Sequence, residues 1–291
     1  MSPSSPHATS APRPAEPARL IPVPPAIGAP ELDDADFRRI AEITYRVAGI
    51  DLKRGKEGLV RARLARRLRA LGLAGFPEYL AHVQGERSGA ELREMVDALT
   101  TNKTSFFRES QHFDFLRETV LPATAGREAR VWSAGCSSGE EPYTIAMVLR
   151  DTLAERDADR ARILATDISA RVLDRARAAT YTADMVGEMD PALVRRHFTA
   201  AAGGYRVADR LRRMVSFARL NLMGEWPMRG PFDVIMCRNV MIYFDKPTQA
   251  RLVARFHELL APGGHLFVGH SESLTGLDHR FGYVQPAVYV K

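Results

Sequence analysis

The chain has 291 residues, 45% of them hydrophobic and 26% charged, with a formal net charge of +6. That length is enough for one large core and a smaller second one. No apolar run approaches the length of a membrane span, and two cysteines, Cys136 and Cys237, exclude a disulfide framework and fit a reducing cytoplasm.

Residues 1–30 are rich in Pro, Ala and Ser and lack the apolar core of a signal peptide. They are expected to be a disordered leader. Residues 31–101 read as a helical domain. Phe37, Ile40, Ile43 and Val47 fall on one face of a first helix, and Val60, Leu64, Leu68 and Leu71 form the apolar stripe of a second. Lys53, Arg54, Lys56, Arg61, Arg63, Arg66, Arg67 and Arg69 lead into that helix or crowd around its stripe. The resulting positive face is either a solvated surface or an electrostatic guide toward an acidic partner; the overall charge alone would also suit nucleic acid.

Residues 102–291 read as a doubly wound α/β domain. Val131 to Ala134 form a strand end, Gly135-Cys136-Ser137-Ser138-Gly139 a small-residue turn, and a helix opens at Glu140-Glu141-Pro142-Tyr143. Two glutamates at a helix start disfavour a phosphate there. Pro142 as first helical residue would make Glu141 the N-cap, with its carboxylate toward the turn, suiting a cationic ligand such as the sulfonium and ammonium of S-adenosylmethionine; a capping glutamate with no ligand is the alternative. Arg162 to Ile168 form a second strand closing on Asp167, placed to meet a ribose diol unless it is a structural strand-end aspartate. Ser169 can cap a helix over 170–179.

Met214 to Leu220 and Pro231 to Cys237 predict two more strands, each ending in polar groups at the carboxyl edge. Asn221 is placed to bond an adenine edge, and Cys237, Arg238 and Asn239 to line the methionine moiety. A helix is expected over 247–260, ended by Ala261-Pro262-Gly263-Gly264, then strands at 265–269 and 287–291. The doubly wound order would make Cys136 and Cys237 neighbours at the ligand pocket; the alternative is two inert buried thiols. The eight histidines are scattered, and no Cys/His spacing suggests zinc or another metal site.

Six motifs occur in order: Thr101 to Glu109 (TNKTSFFRE), Trp132 to Tyr143, Ala165-Thr166-Asp167-Ile168, Asn221-Leu222, Cys237 to Phe244 (CRNVMIYF), and Gly269 to Ser273 (GHSES). Together they resemble the CheR family, the bacterial chemotaxis receptor glutamate methyltransferases, from about Leu32 to Lys291. The resemblance implies an S-adenosylmethionine-dependent methyltransferase sheet, a small N-terminal all-helical domain and a β-subdomain inserted at about 195–218. It implies cofactor contacts at Asn102, Thr104, Arg108, Glu141, Asp167, Asn221, Leu222, Cys237, Arg238 and Asn239, and a role for Tyr243. The family's insertion has a short loop here, between Phe198 and Tyr205, which bears on whether a receptor C-terminal peptide docks there.

The implied reaction is transfer of a methyl group from S-adenosylmethionine to glutamate carboxylates of a methyl-accepting chemoreceptor's cytoplasmic domain, by a cytoplasmic, monomeric enzyme without nucleic acid or membrane insertion. S-adenosylhomocysteine is the product. An ionised carboxylate needs no general base, so positioning and water exclusion dominate. Arg108 is the expected fork for the carboxylate, and Tyr243 the second catalytic candidate. A nucleic-acid methyltransferase and a non-catalytic adaptor on the same fold are the alternatives. Against the first, Asn239-Val240-Met241-Ile242-Tyr243 lacks the proline pair of extruded-base enzymes.

Overall fold

A computed structural model describes residues 30–291. The leader expected over residues 1–30 lies, apart from Pro30, outside the described residues. Four helices come first: α1 (Asp34–Ala48), α2 (Glu57–Leu71), α3 (Phe76–Gly85) and α4 (Ala90–Leu99). Asp33 caps α1 by accepting the Asp36 N–H at 2.7 Å, and Gly49, at φ 71, closes it in the left-handed region. The two expected apolar stripes meet: Phe37 and Ile40 pack with Val60, Leu64 and Leu68, and with Phe76, Tyr79, Leu80 and Met95 from α3 and α4. Ile43 and Leu71 pack at the edge of this core, whereas Val47 turns toward the large domain.

The rest of the chain builds a second, larger core. After the short α5 (Gln111–Phe115) come β1 (Arg130–Ala134), α6 (Glu140–Thr152), α7 (Glu155–Arg160), β2 (Arg162–Asp167) and α8 (Ala170–Ala178). Next are β3 (Thr180–Tyr181), α9 (Ala183–Val186), α10 (Pro191–His197), β4 (Phe198–Ala201), β5 (Gly204–Val207) and α11 (Asp209–Arg212). The chain finishes with β6 (Val215–Arg219), β7 (Phe232–Cys237), α12 (Lys246–Leu259), β8 (Leu260–Val268), β9 (Gly282–Gln285) and β10 (Val288–Val290).

Seven strands form one sheet in the order β6-β2-β1-β7-β8-β10-β9. The first five are parallel; β10 and β9 join antiparallel. Side chains alternate between faces, as strand geometry requires. Val131, Val234 and Met236 pack with Tyr143, Ile145 and Val148 of α6, whereas Trp132, Ile235 and Cys237 pack with Leu252, Val253 and Phe256 of α12. Buried on both faces, β7 reads as a near-continuous apolar run.

Several boundaries differ from the sequence expectation, each for a local reason. Glu141 is not the N-cap of α6. Gly139 is, at φ 99, where a Cβ would come within 2.8 Å of the Tyr181 hydroxyl and 2.9 Å of Ala176 Cβ. Pro142 is therefore the third helical residue and loses no bond, because the first four N–H groups of a helix have no partner within it. Ala261 to Gly264 do not end α12 but form an irregular stretch of β8, where the pairing shifts register between Phe232 and Val234. The chain end adds a strand, β9, that the sequence reading lacked. The small sheet, β3-β5-β4, starts as early as Thr180, and Val215–Arg219 belongs to the large sheet rather than to the insertion expected at about 195–218.

Candidate active site

The carboxyl ends of β1, β2 and β7 open onto one cavity where the strand order reverses, the place at which open α/β sheets bind ligands. The turn after β1 forms one wall. Gly135 has φ 89, and a Cβ on it would lie 2.4 Å from Val240 Cγ2, so only glycine lets this turn meet the loop after β7. Ser137 continues the turn; its N–H donates to Asp167 Oδ2 at 2.9 Å and its hydroxyl to the Asn102 carbonyl at 3.0 Å.

Asp167 ends β2 and lines the cavity. Its Oδ1 accepts from the Ser169 N–H at 2.9 Å, so each carboxylate oxygen holds one backbone amide and keeps a lone pair for a further donor. Burial raises its pKa, and the Ser169 and Ser137 amides oppose that rise.

Glu141 also lines the cavity, but its charge is already answered. Its Oε1 accepts from the Ser133 hydroxyl at 2.7 Å and its Oε2 from Arg238 Nη1 at 3.0 Å. Burial pushes the carboxyl upward, against the pull of Arg238. The other arm of Arg238 donates to Glu109 Oε2 at 3.1 Å and to the Arg108 carbonyl. With its side chain 2% exposed, this guanidinium ties the start of α6, the β7 loop and the linker from the helical domain into one unit.

The linker from the helical domain supplies another wall. Asn102, Thr104 and Arg108 all line the cavity. Phe107 at φ 52 and Glu109 at φ 57 flank Arg108 in the left-handed region, a double kink braced by the Phe107 N–H donating to Thr144 Oγ1 at 3.2 Å. Arg108 Nη1 donates to the Lys103 carbonyl at 2.8 Å, and among the described residues no carboxylate pairs with it. Arg63 of α2 clamps the same linker, donating to Leu99 O at 2.6 Å, Thr100 O at 3.1 Å and Thr101 Oγ1 at 2.9 Å.

On the opposite wall, Ile168, Leu220 and Leu222 offer apolar surface. Asn221 lines the cavity, yet its amide is engaged within the protein: Nδ2 donates to Val47 O at 2.6 Å and Oδ1 accepts the Met223 N–H at 3.0 Å. It braces α1 against the sheet edge, which leaves at most one amide hydrogen for an adenine. Tyr243 and Asn239 line the cavity too. The Tyr243 carbonyl accepts from the Asp51 N–H at 2.8 Å, and Asn239 Nδ2 donates to Glu109 Oε1 at 3.1 Å.

Cys237 is the expected site residue that the structure places elsewhere. It is adjacent to the β1 strand as expected, but its side chain is fully buried on the α12 face and does not reach the cavity, whereas Cys136 does. Of the two alternatives for the thiols, Cys136 fits a place at the pocket edge and Cys237 that of a buried thiol, because period-two alternation sends the last residue of β7 to the opposite face. Two acids quoted in the motifs but given no role prove central. Glu109 holds Arg238 and Asn239, and Arg238 and Asn239 outweigh the burial that would raise its pKa, so it sits below the usual glutamate value. Glu272 accepts the N–H groups of Asn239 at 2.8 Å and Ile242 at 3.1 Å, fixing the loop that carries Tyr243. For Glu272 the one local signal is a lone acid among small residues, in Gly269-His270-Ser271-Glu272-Ser273; Glu109 carries none.

An apolar wall, a strand-end carboxylate with lone pairs to spare and a glycine turn fit a ligand with a flat base, a ribose and a compact polar tail. The donor set therefore suits S-adenosylmethionine.

Comparison with known proteins agrees. Residues 102–290 match the family model described as CheR methyltransferase, SAM binding domain, and residues 35–100 match the CheR methyltransferase all-alpha domain. The chain is 44% identical over 263 residues to the chemotaxis protein methyltransferase of Klebsiella aerogenes, covering 89% of this chain and 90% of that protein. It is 43% identical to the Escherichia coli chemotaxis protein methyltransferase, covering 89% and 91%, and 43% identical to chemotaxis protein methyltransferase 2 of Pseudomonas aeruginosa, covering 87% and 92%. This chain belongs to the CheR methyltransferase family and is an S-adenosylmethionine-dependent methyltransferase.

Proposed function

We propose that the enzyme methylates glutamate side chains on the cytoplasmic helices of chemoreceptors, forming methyl esters. The observation that carries this reading is the contrast between two arginines at one cavity. Arg238 is ion-paired with both Glu141 and Glu109, whereas Arg108 lines the cavity and pairs with no carboxylate among the described residues. A guanidinium beside a methyl-donor cavity, with Nη1 on the Lys103 carbonyl and no acid pairing with it among the described residues, suits a carboxylate acceptor.

When bound, S-adenosylmethionine supplies an electrophilic methyl group on a sulfonium. The chain's own residues do the rest. Asp167 and the Gly135 turn orient the donor, Arg108 presents the carboxylate, and the Asn102–Ser105 linker covers the reacting atoms against water. Tyr243, on the loop held by Glu272, packs the remaining side. No base is needed, because the ionised carboxylate is the nucleophile.

The basic face of α2 fits this acceptor in a reduced form. Lys53, Arg54, Lys56, Arg66 and Arg69 are exposed, but Arg63 is spent on the linker and Arg67 donates to Glu91 at 3.0 Å and pairs with Glu94 at 3.3 Å. The exposed set can steer an acidic helical surface toward the cavity. The test is transfer of labelled methyl from S-adenosylmethionine to a chemoreceptor cytoplasmic fragment. Base-labile label at glutamates supports the reading; base-stable label, or label on nucleic acid instead, contradicts it.

A further inference from the structure

Outside the cavity lining, Glu109, His112 and His270 converge, with one ligand-type atom of each lying within 4.8 Å of the others. His112 is 1% exposed, and neither of its ring nitrogens has a hydrogen-bond partner among the described residues. A buried imidazole left wholly unpaired is a costly arrangement that needs an explanation. Its Nδ1 faces Glu109 Oε2 at 3.6 Å. The exposed His270 ring stands edge-on to that of His112, with centroids 4.8 Å apart.

We infer that Glu109, His112 and His270 form a binding site for a divalent first-row transition metal of the zinc type. Two nitrogens and one carboxylate oxygen are the donor set such ions prefer, and they disfavour magnesium and calcium, which take oxygen ligands. Two ligands bound to one tetrahedral ion stand about 3.4 Å apart, close to the 3.6 Å already present between Glu109 and His112. His270, exposed and with its ligand-type atom within 4.8 Å of the other two, completes the set. Glu109 and Glu141 share one guanidinium, so these two carboxylates and Arg238 together carry one net negative charge when both acids are ionised.

The site lies apart from the methyl-donor cavity but shares Glu109 Oε2 with Arg238. A bound ion draws on the oxygen that anchors Arg238, so metal occupancy loosens the joint between the linker and the β7 loop and slows methyl transfer. The sequence concealed the set because its third member is 158 residues beyond the second, giving none of the short Cys/His spacings of zinc motifs.

The test is titration of the full chain with Zn²⁺ in competition with a chromophoric chelator. One equivalent should bind, and His270→Ala, an exposed substitution that spares the core, should weaken binding at least tenfold. His82→Ala, on the exposed surface of α3, should leave it unchanged. Co²⁺ should give a visible absorption that His270→Ala and His112→Gln both lose. Absence of stoichiometric Zn²⁺ binding, or an affinity indifferent to His270→Ala, would overturn the site, and because the readout is binding it says nothing against methyl transfer to glutamate.

Discussion

Arg238 Nη1 donates to Glu141 Oε2 at 3.0 Å, so the acid at the start of α6 meets an internal guanidinium before it meets any ligand. The pair converts two motif residues from separate ligand contacts into a frame. Its second arm, on Glu109, extends the frame to the linker.

Removing the centre of that frame strands two carboxylates. Arg238→Gln should destabilise the enzyme by about 3–5 kcal/mol, the range for breaking a buried ion pair from one side. Adding Glu141→Gln to it should restore part of the loss, since one stranded charge disappears. Chemical denaturation of the single and double variants measures both; a single variant as stable as the wild type would contradict a structural role for Arg238.

Exposed and internal arginines of α2 should separate cleanly. Reversing Arg66 and Arg69 to glutamate should slow methylation of an acidic receptor fragment at low salt and flatten its salt dependence, with cofactor affinity unchanged. Reversing Arg63 should instead lower stability, because three acceptors on the linker lose their donor. Rate against ionic strength, with a melting curve for each variant, distinguishes the two effects.

The two thiols should respond differently to ligand. Burial pushes both Cys136 and Cys237 well above the ordinary thiol value, so neither holds much reactive thiolate near pH 8. The sign follows: native-state alkylation is slow at neutral pH and rises only as pH climbs past the usual thiol range. S-adenosylhomocysteine should protect Cys136, which borders the cavity, and leave Cys237 limited by unfolding alone. Direct ligand protection of Cys237 in the folded enzyme, beyond the general slowing of unfolding, would mean that the strand faces are assigned wrongly.

The parallel strands and the turn at Gly135 were legible because apolar runs and small residues report burial and close approach directly. What escaped the sequence depends on partners distant along the chain. Nothing near Glu141 announces Arg238, 97 residues away, and nothing near Asn221 announces the Val47 carbonyl it holds. Pro142 misled because proline is acceptable anywhere in a helix's first turn, not only at its first position. The Ala261-Pro262-Gly263-Gly264 run carries turn residues, yet Gly263 N–H and Gly264 O bond Lys291, which keeps the stretch in the sheet.

The claim on which the account rests is that Arg108 receives the acceptor carboxylate. Arg108→Lys keeps the charge and removes the fork. Methyl transfer to a receptor fragment, measured alongside the affinity for S-adenosylhomocysteine, should show turnover reduced by about 100-fold with product affinity nearly unchanged. Wild-type turnover, or a loss confined to product affinity, would contradict the account and make Arg108 a residue of the cofactor alone.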